Sequence, residues 1–215
     1  METSARQMPP SLFVYALFYG GMTVLSGVLG NKQVALGPLA VEAGIFGFLL
    51  LVVLSSAVAE LHGRAAANRL VLIGFAPLVG SMLLILLVLG LPAAHDMDPD
   101  RLAGFQLILG QSPRLMVAGI IAYGVSQFLN VTIFSALRGA EGGRLLAFRG
   151  AVASALSQVI DTLLFITIAF IGVFPIWQLL IGQMLAKVTL SIVAVPFLIV
   201  GAVRLGRWLD RVPAR

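Results

Sequence analysis

The chain contains no cysteine and only two histidines, and each shortage excludes a class of chemistry. Without cysteine, disulfides, thiolate metal sites and cysteine nucleophiles are excluded. His62 and His95 both lie near expected loops, so neither an HExxH motif nor a two-histidine metal site can form. The sequence also lacks the GxSxG and P-loop motifs. We therefore expect neither an enzyme nor a metal or other bound cofactor.

Charged residues are scarce and long apolar runs dominate. Only 11% of the 215 residues are charged, against roughly a quarter in a soluble domain, and 60% are hydrophobic. Apolar segments lie near residues 11–30, 38–59, 69–91, 114–137, 148–172 and 175–202. A helix of about 20 apolar residues crosses the roughly 30 Å hydrocarbon core of a bilayer. The sequence therefore predicts an all-α integral membrane protein, with residues 1–215 forming one domain of six transmembrane helices.

The basic residues are distributed unevenly between the two sides of these spans. One side, which holds both termini, carries ten: Arg6, Arg64, Arg69, Arg138, Arg144, Arg149, Arg204, Arg207, Arg211 and Arg215. The other side carries Lys32, Arg101 and Arg114. Basic residues mark the cytoplasmic side of membrane proteins, so the net charge of +5 indicates topology and not nucleic-acid binding. The start "METSARQMPP" lacks a secretory cleavage site, and the first span is expected to be retained.

The third loop is the only long connection expected. Within it, "DRLAGFQLILG" at residues 100–110 has apolar residues at roughly helical spacing. It is interpreted either as a short helix in the outer membrane interface or as an ordinary loop with some buried apolar residues.

Five charged residues within the expected spans or close to their ends are the candidates for charges inside the membrane: Glu42, Glu60, Arg149, Asp161 and Lys187. A charge at mid-membrane costs from about 2.5 kcal/mol upward, so it normally faces the bundle interior, a partner or a cavity. Glu60 and Arg149 lie near span ends and could reach water, and Glu42 is expected one turn inside a helix, near its positive end. Asp161 and Lys187 lie near the midplane, so we expect them to pair. The alternative is that Lys187 pairs with Asn or with backbone carbonyls.

A polar phrase occurs twice within otherwise apolar runs, as "SQFLNVTIF" at residues 126–134 and "SQVIDTLLF" at 157–165. Helical spacing puts each set on one stripe: Tyr123, Ser126, Gln127 and Asn130 in the fourth span, and Ser154, Ser157, Gln158 and Asp161 in the fifth. The stripes either line one cavity from two sides or hydrogen-bond helices together. The cavity is favoured for Gln127, Gln158 and Asp161, which predicts a carrier.

The fifth span, "RGAVASALSQVIDTLLFITIAFIG", resembles the signature of the queuosine precursor transporter family, also called the vitamin uptake transporter family. The matching positions are Arg149, Ser154, Ser157, Gln158, Asp161, Thr162, Phe165, Phe170 and Gly172. Similar segments elsewhere contribute Asn31, Glu60 and Lys187. Three positions depart from the family pattern: Ser56 and Asn130 stand where the family has Asp, and His62 stands where it has Tyr.

The resemblance implies a fold, a substrate and a binding site. It implies an inner-membrane protein, similar to the substrate-binding subunits of energy-coupling-factor importers, that takes up 7-cyano- or 7-aminomethyl-7-deazaguanine. The implied substrate-binding residues are Asn31, Glu60, Gln127, Asn130, Arg149, Ser154, Gln158, Asp161 and Lys187. A carboxylate such as Asp161 accepts from the adjacent N–H donors of a guanine-like edge, and a Gln amide serves its other polar groups. The candidates for stacking on the ring are Tyr123, Phe128, Phe134 and Phe165.

Two other functions and an assembly remain open at this point. The chain could be a binding subunit that needs a separate ATPase module, or a membrane scaffold whose polar residues only pack helices. The small-residue pairs Ala16/Gly20 and Ser26/Gly30 provide surfaces on which such a module could dock. We also expect a homodimer, because close-packing pairs such as Ala16/Gly20 or Gly20/Val24 leave a surface for a second copy. The same residues could equally pack within one chain. The expected partners are a purine-like base and membrane lipid, without nucleic acid.

The basic-residue bias predicts that both termini face the cytoplasm. A reporter fused after Arg215 should be active if it functions in the cytoplasm and inactive if it requires the periplasm. Activity of a periplasm-dependent reporter at that position would contradict the topology.

Overall fold

The computed structural model describes residues 8–37, 39–110, 113–138, 145–172 and 176–211. These residues form helices and one hairpin: α1 (Pro10–Leu29), β1 (Gln33–Leu36), β2 (Leu39–Glu42), α2 (Gly44–His62), α3 (Arg64–Leu89), α4 (Pro99–Leu109), α5 (Pro113–Ala136), α6 (Leu146–Phe170), α7 (Trp177–Val193) and α8 (Val195–Leu209). Five of the helices (α1, α2, α3, α5 and α6) are long and apolar enough to cross a membrane. The bent pair of α7 and α8 forms a sixth span when counted together. The predicted all-α integral membrane fold is confirmed.

The second span starts later than predicted. Residues near 38 were expected to begin a helix, but β1 and β2 pair antiparallel there, with Gln33 opposite Glu42 and Leu36 opposite Leu39. Gly37 lies at the turn with a φ of +60°, a left-handed conformation that costs glycine little. Glu42 therefore ends a strand and does not lie one turn inside a helix. The apolar content of this stretch suits either structure, so hydropathy could not separate them.

The last span is broken. A single helix was expected near 175–202, but α7 ends at Val193 and α8 begins at Val195, with an angle of 46° between them. Pro196 lies in the first turn of α8 and has no N–H to continue the ladder of α7. The second piece runs on to Leu209, beyond the expected end.

The third loop contains a helix, as one of its two interpretations predicted. Helix α4 begins after Asp98, whose side chain accepts from the backbone N–H of Asp100 and of Arg101. This N-cap and Pro99 in the first turn explain why the helix starts there. Leu107 is 82% exposed, so this helix packs little of its surface against the rest of the chain. Its position in the outer interface stays a prediction.

Small residues let the helices approach closely within the chain. Gly44 packs against Ser26 and Gly30, which brings the start of α2 against the end of α1. Gly20 lies against Pro77 of α3. The small-residue surfaces noted in the sequence therefore contribute to packing within one chain. The homodimer stays a prediction.

The start of α1 is tied to the end of α8. The Ser11 backbone N–H donates to Asp210 Oδ1 at 2.9 Å, and its hydroxyl donates to Asp210 Oδ2 at 2.8 Å. The Ser11 hydroxyl also lies 2.7 Å from Nε2 of His62, the last residue of α2. We call the end of the bundle at Ser11, His62 and Asp210 the terminal end, and the opposite end, at β1 and β2, the hairpin end.

Near the terminal end, Arg149 joins three helices. Its Nη1 donates to Glu60 Oε2 of α2 at 2.9 Å, and its Nε and Nη2 donate to the Phe134 carbonyl of α5 at 3.2 and 3.1 Å. The guanidinium also lies 4.2 Å from the centre of the Phe134 ring. The expectation that Arg149 and Glu60 reach water is wrong, because Arg149 is only 2% exposed and Glu60 only 9%. Arg149 and Glu60 pair with each other across the helix interface, so each has a closer partner than solvent.

Removing one member of this pair should destabilise the fold strongly, because the other charge is left buried without a partner. We expect Arg149→Met or Glu60→Gln alone to lower the free energy of unfolding by about 3–5 kcal/mol. The double variant should lose less than the sum of the two singles. Thermal unfolding in one detergent, followed for wild type, both singles and the double, measures this. Single variants that melt with wild type would show that the pair does not support the fold.

Candidate functional site

A cavity of about 230 Å³ lies toward the hairpin end of the bundle. The end of α1, the start of α2, the end of α3, the start of α5 and parts of α6 and α7 surround it. Its polar lining consists of Thr23, Ser26, Asn31, Glu42, Ser81, Tyr123, Asp161, Gln183 and Lys187. Phe48 and Phe165 add aromatic rings to a wall that is otherwise mainly aliphatic. The cavity is slightly smaller than the roughly 300–1,000 Å³ typical of ligand pockets, which suits a small molecule.

An ion pair lies on the cavity wall between α6 and α7. Lys187 Nζ donates to Asp161 Oδ2 at 2.9 Å, and the Ser126 hydroxyl donates to Asp161 Oδ1 at 3.1 Å. The side chains of Asp161 and Lys187 are 6% and 13% exposed. The prediction that these two charges pair is confirmed, and their depth near the midplane stays a prediction. Both carboxylate oxygens of Asp161 therefore have donors within the protein.

Glu42 brings a second carboxylate to the same cavity. It ends β2, just before the spanning helix α2, and is half-buried. Burial raises the pKa of the Glu42 carboxyl, whereas the positive charge of Lys187 lowers it and the negative charge of Asp161 adds to the rise. Within the described part of the chain, the Glu42 carboxylate has neither a hydrogen-bond donor nor an ion-pair partner. Unlike Asp161, Glu42 can therefore still accept hydrogen bonds from a ligand.

Asn31 lies at the edge of the cavity, just after α1. Its amide Nδ2 donates to the Val28 carbonyl at 3.1 Å, and also lies 3.5 Å from the Gly27 carbonyl. The Val28 carbonyl also accepts from the Asn31 backbone N–H at 3.3 Å, so backbone and side chain of Asn31 meet the same carbonyl at the end of α1. The amide of Asn31 therefore supports the end of α1 as well as lining the cavity.

A polar layer lies beside the cavity, toward the terminal end. Gln127 Oε1 accepts from the Tyr19 hydroxyl at 3.4 Å and from the Ser55 hydroxyl at 3.3 Å. Asn130 Nδ2 donates to the hydroxyls of Ser55 and Ser56 at 3.2 and 3.1 Å. These contacts hold α5 to α1 and α2, so helix–helix hydrogen bonding accounts for part of the repeated phrase.

Several polar atoms of this layer have no hydrogen-bond partner in the described part of the chain. They are Gln127 Nε2, Asn130 Oδ1, Ser154 Oγ and both Gln158 amide atoms. A buried donor or acceptor left unpaired costs about 1–3 kcal/mol. A layer that only glued helices would be expected to satisfy its own groups. These atoms therefore retain the capacity to hydrogen-bond to a ligand or to water.

The predicted site residues therefore fall into three groups. Asn31, Asp161 and Lys187 line the cavity. The polar layer, buried beside it but not on its wall, holds Gln127, Asn130, Ser154 and Gln158. The third group, Glu60 and Arg149, pairs farther toward the terminal end.

The aromatic candidates divide in the same way. Tyr123 and Phe165 line the cavity, whereas Phe134 stacks under the Arg149 guanidinium and Phe128 packs against the core.

Sequence reasoning missed three wall residues. Glu42 was assigned to a helix start, and Phe48 was read as one apolar residue among many. Gln183 lies four residues before Lys187 on α7, so helical spacing from the charged residue could have identified it.

Comparison with known proteins identifies the relatives of this chain. A family model described as "Putative vitamin uptake transporter" matches residues 42–201. A Bacillus subtilis (strain 168) protein named "Probable queuosine precursor transporter" is 30% identical over 191 residues, covering 86% of this chain and 81% of that protein. No solved structure matches the chain significantly. The family model spans well over half of a chain with multiple apolar membrane helices. This multi-pass membrane protein therefore belongs to the vitamin uptake transporter family.

Proposed function

We propose that this protein is an inner-membrane uptake transporter, and not an enzyme, for 7-deazaguanine precursors of queuosine. The name of its Bacillus subtilis relative supports the substrate class. The observation that carries the proposal is the Asp161–Lys187 ion pair on the wall of a small cavity within the helices. Charges at this depth are expensive and typically mark a substrate or ion pathway.

The cavity suits a flat, polar heterocycle. The rings of Phe48, Tyr123 and Phe165 offer faces on which an aromatic base can stack. The Lys187 ammonium has three N–H donors, of which the bond to Asp161 uses one, so it can also donate to a base carbonyl. Most of the remaining wall is aliphatic.

The polar layer fits a later stage of transport. Gln158 precedes Asp161 by three residues on α6, which places it one turn closer to the terminal end. If both termini are cytoplasmic, as the basic residues predict, a base leaving the cavity toward the cell interior passes this level. The unpaired amide groups of Gln127 and Gln158 would then contact the base in transit. The likeness to energy-coupling-factor binding subunits stays a prediction.

Uptake of labelled 7-cyano-7-deazaguanine tests the proposed function. Cells unable to make precursors should accumulate the label when they express wild type, and far less with Asp161→Asn, which removes the charge opposite Lys187. Leu163→Met on α6, a side chain 37% exposed to the lipid side, serves as the control and should leave uptake unchanged.

Purified protein in liposomes separates the alternatives. Uptake by the protein alone supports a self-sufficient transporter, and tight binding without uptake supports a subunit that needs an ATPase module. Neither binding nor uptake, with a normal melting temperature, would leave a scaffold as the remaining function.

The ion pair should show energetic coupling. Asp161→Asn and Lys187→Met each leave one buried charge uncompensated, so each should lower the melting temperature. The double variant should melt higher than the sum of the two losses predicts. Additive losses in the double variant would mean that the 2.9 Å contact contributes nothing to stability.

A further inference from the structure

Two carboxylates line the cavity, and they differ in how much acceptor capacity they retain. Asp161 accepts from the Ser126 hydroxyl on one oxygen and from the Lys187 ammonium on the other. A ligand that donates two N–H groups to Asp161 would have to displace or share these donors. Asp161 is therefore better suited to fixing Lys187 on the wall than to receiving the donor edge of a base.

The carboxylate of Glu42, unlike that of Asp161, has no donor among the described residues, although the backbone of Glu42 is held in place. Its backbone is held in the hairpin register opposite Gln33, and the next N–H, that of Ala43, donates to the Lys32 carbonyl at 2.7 Å. The Glu42 side chain lines the cavity, and no donor contacts its carboxylate within the described residues. Lys187 makes its direct ion pair with Asp161, which leaves the Glu42 charge to attract donors from a ligand.

A free carboxylate recognises a particular ligand edge. Its two oxygens accept two parallel N–H groups, as they do in a bidentate pair with arginine. A guanine-like base presents such a pair in its ring N1–H and its 2-amino group. An adenine-like base presents an acceptor at N1, which would face the carboxylate without a donor. Two N–H donors also stabilise the ionised form of a half-buried carboxyl group.

We propose that Glu42, and not Asp161, binds the N1–H and 2-amino donors of the transported base. Asp161 then acts as a positioning residue, holding Lys187 where it donates to the base carbonyl. This assignment rests on the proposed function and makes Glu42 the residue that selects a 2-amino purine-like base.

Binding of two matched ligands to purified full-length protein tests this assignment. The ligands are 7-cyano-7-deazaguanine and 7-cyano-7-deazahypoxanthine, which differ only in the 2-amino group. Wild type should prefer the amino ligand by about 10- to 100-fold, the cost of one unpaired group at a charged acceptor. Glu42→Gln keeps one acceptor oxygen but turns a donor toward the second N–H. Affinity for the amino ligand should therefore fall about 10- to 100-fold, and affinity for the deamino ligand less, so the preference shrinks.

Two further variants control for folding and for position. Asp100→Asn makes the same carboxylate-to-amide change at an exposed residue in the first turn of α4, outside the cavity wall, and should keep the preference of wild type. Should Glu42→Gln not fold, Glu42→Asp replaces it; the carboxylate withdrawn by one methylene should also reduce the preference.

The possible results separate this inference from the proposed function. A folded Glu42 variant that retains the wild-type preference overturns the assignment while leaving the transport function standing. A wild type that binds both ligands equally also overturns it. A wild type that neither binds nor takes up either base refutes the proposed function itself.

Discussion

Within a bilayer, a buried charge needs a partner in the protein or in a cavity, because lipid offers none. Helix α6 shows how this constraint organises the bundle. It carries Arg149 near one end and Asp161 twelve residues later, a separation of about 18 Å along a helix. Glu60 of α2 neutralises the first charge, and Lys187 of α7 neutralises the second. The two ion pairs hold α6 against α2 near one end and against α7 twelve residues later. The other helices pack around this arrangement.

The polar layer occupies the interval between these pairs. Its hydrogen bonds join α1, α2 and α5, yet several of its amide and hydroxyl atoms remain unused. Asn130 of α5 also donates to Ser56 of α2 at 3.1 Å, so this contact joins the two helices at a level between the two ion pairs.

Depth in the membrane made part of the site predictable. Asp161 and Lys187 each lie far inside an apolar run, so the cost of a lone charge favoured their pairing over the alternative of Asn or backbone carbonyls as partners of Lys187. Glu60 and Arg149 lie near span ends, where water is an alternative partner, and only the packing of α2 against α6 decides between the two.

The hairpin shows a different limit. In a short segment, the spacing and hydropathy of the apolar residues do not distinguish a buried strand from the start of a helix. The position of Glu42 depends on that distinction. The break before Pro196 was visible in the sequence as a proline, but its angle depends on the helices packed around it. The sequence therefore predicted Asp161 and Lys187 on the cavity wall, because their charges required partners. It missed Glu42, because the position of Glu42 depends on the backbone geometry of the hairpin.

The division of the last span has a consequence for where its backbone can lie. Helix α7 has 17 residues, or about 26 Å, which falls short of the roughly 30 Å hydrocarbon core. The early part of α8 is apolar, and its arginines follow only at Arg204 and Arg207, so we expect the junction at Ala194 to lie within the depth of the bilayer. Interrupted helical backbone at that depth is tolerated only where protein covers it. Ser191, Val195 and Pro196 are buried around the junction, so one side of this stretch packs against the protein while Ile192, Val193 and Phe197 face outward.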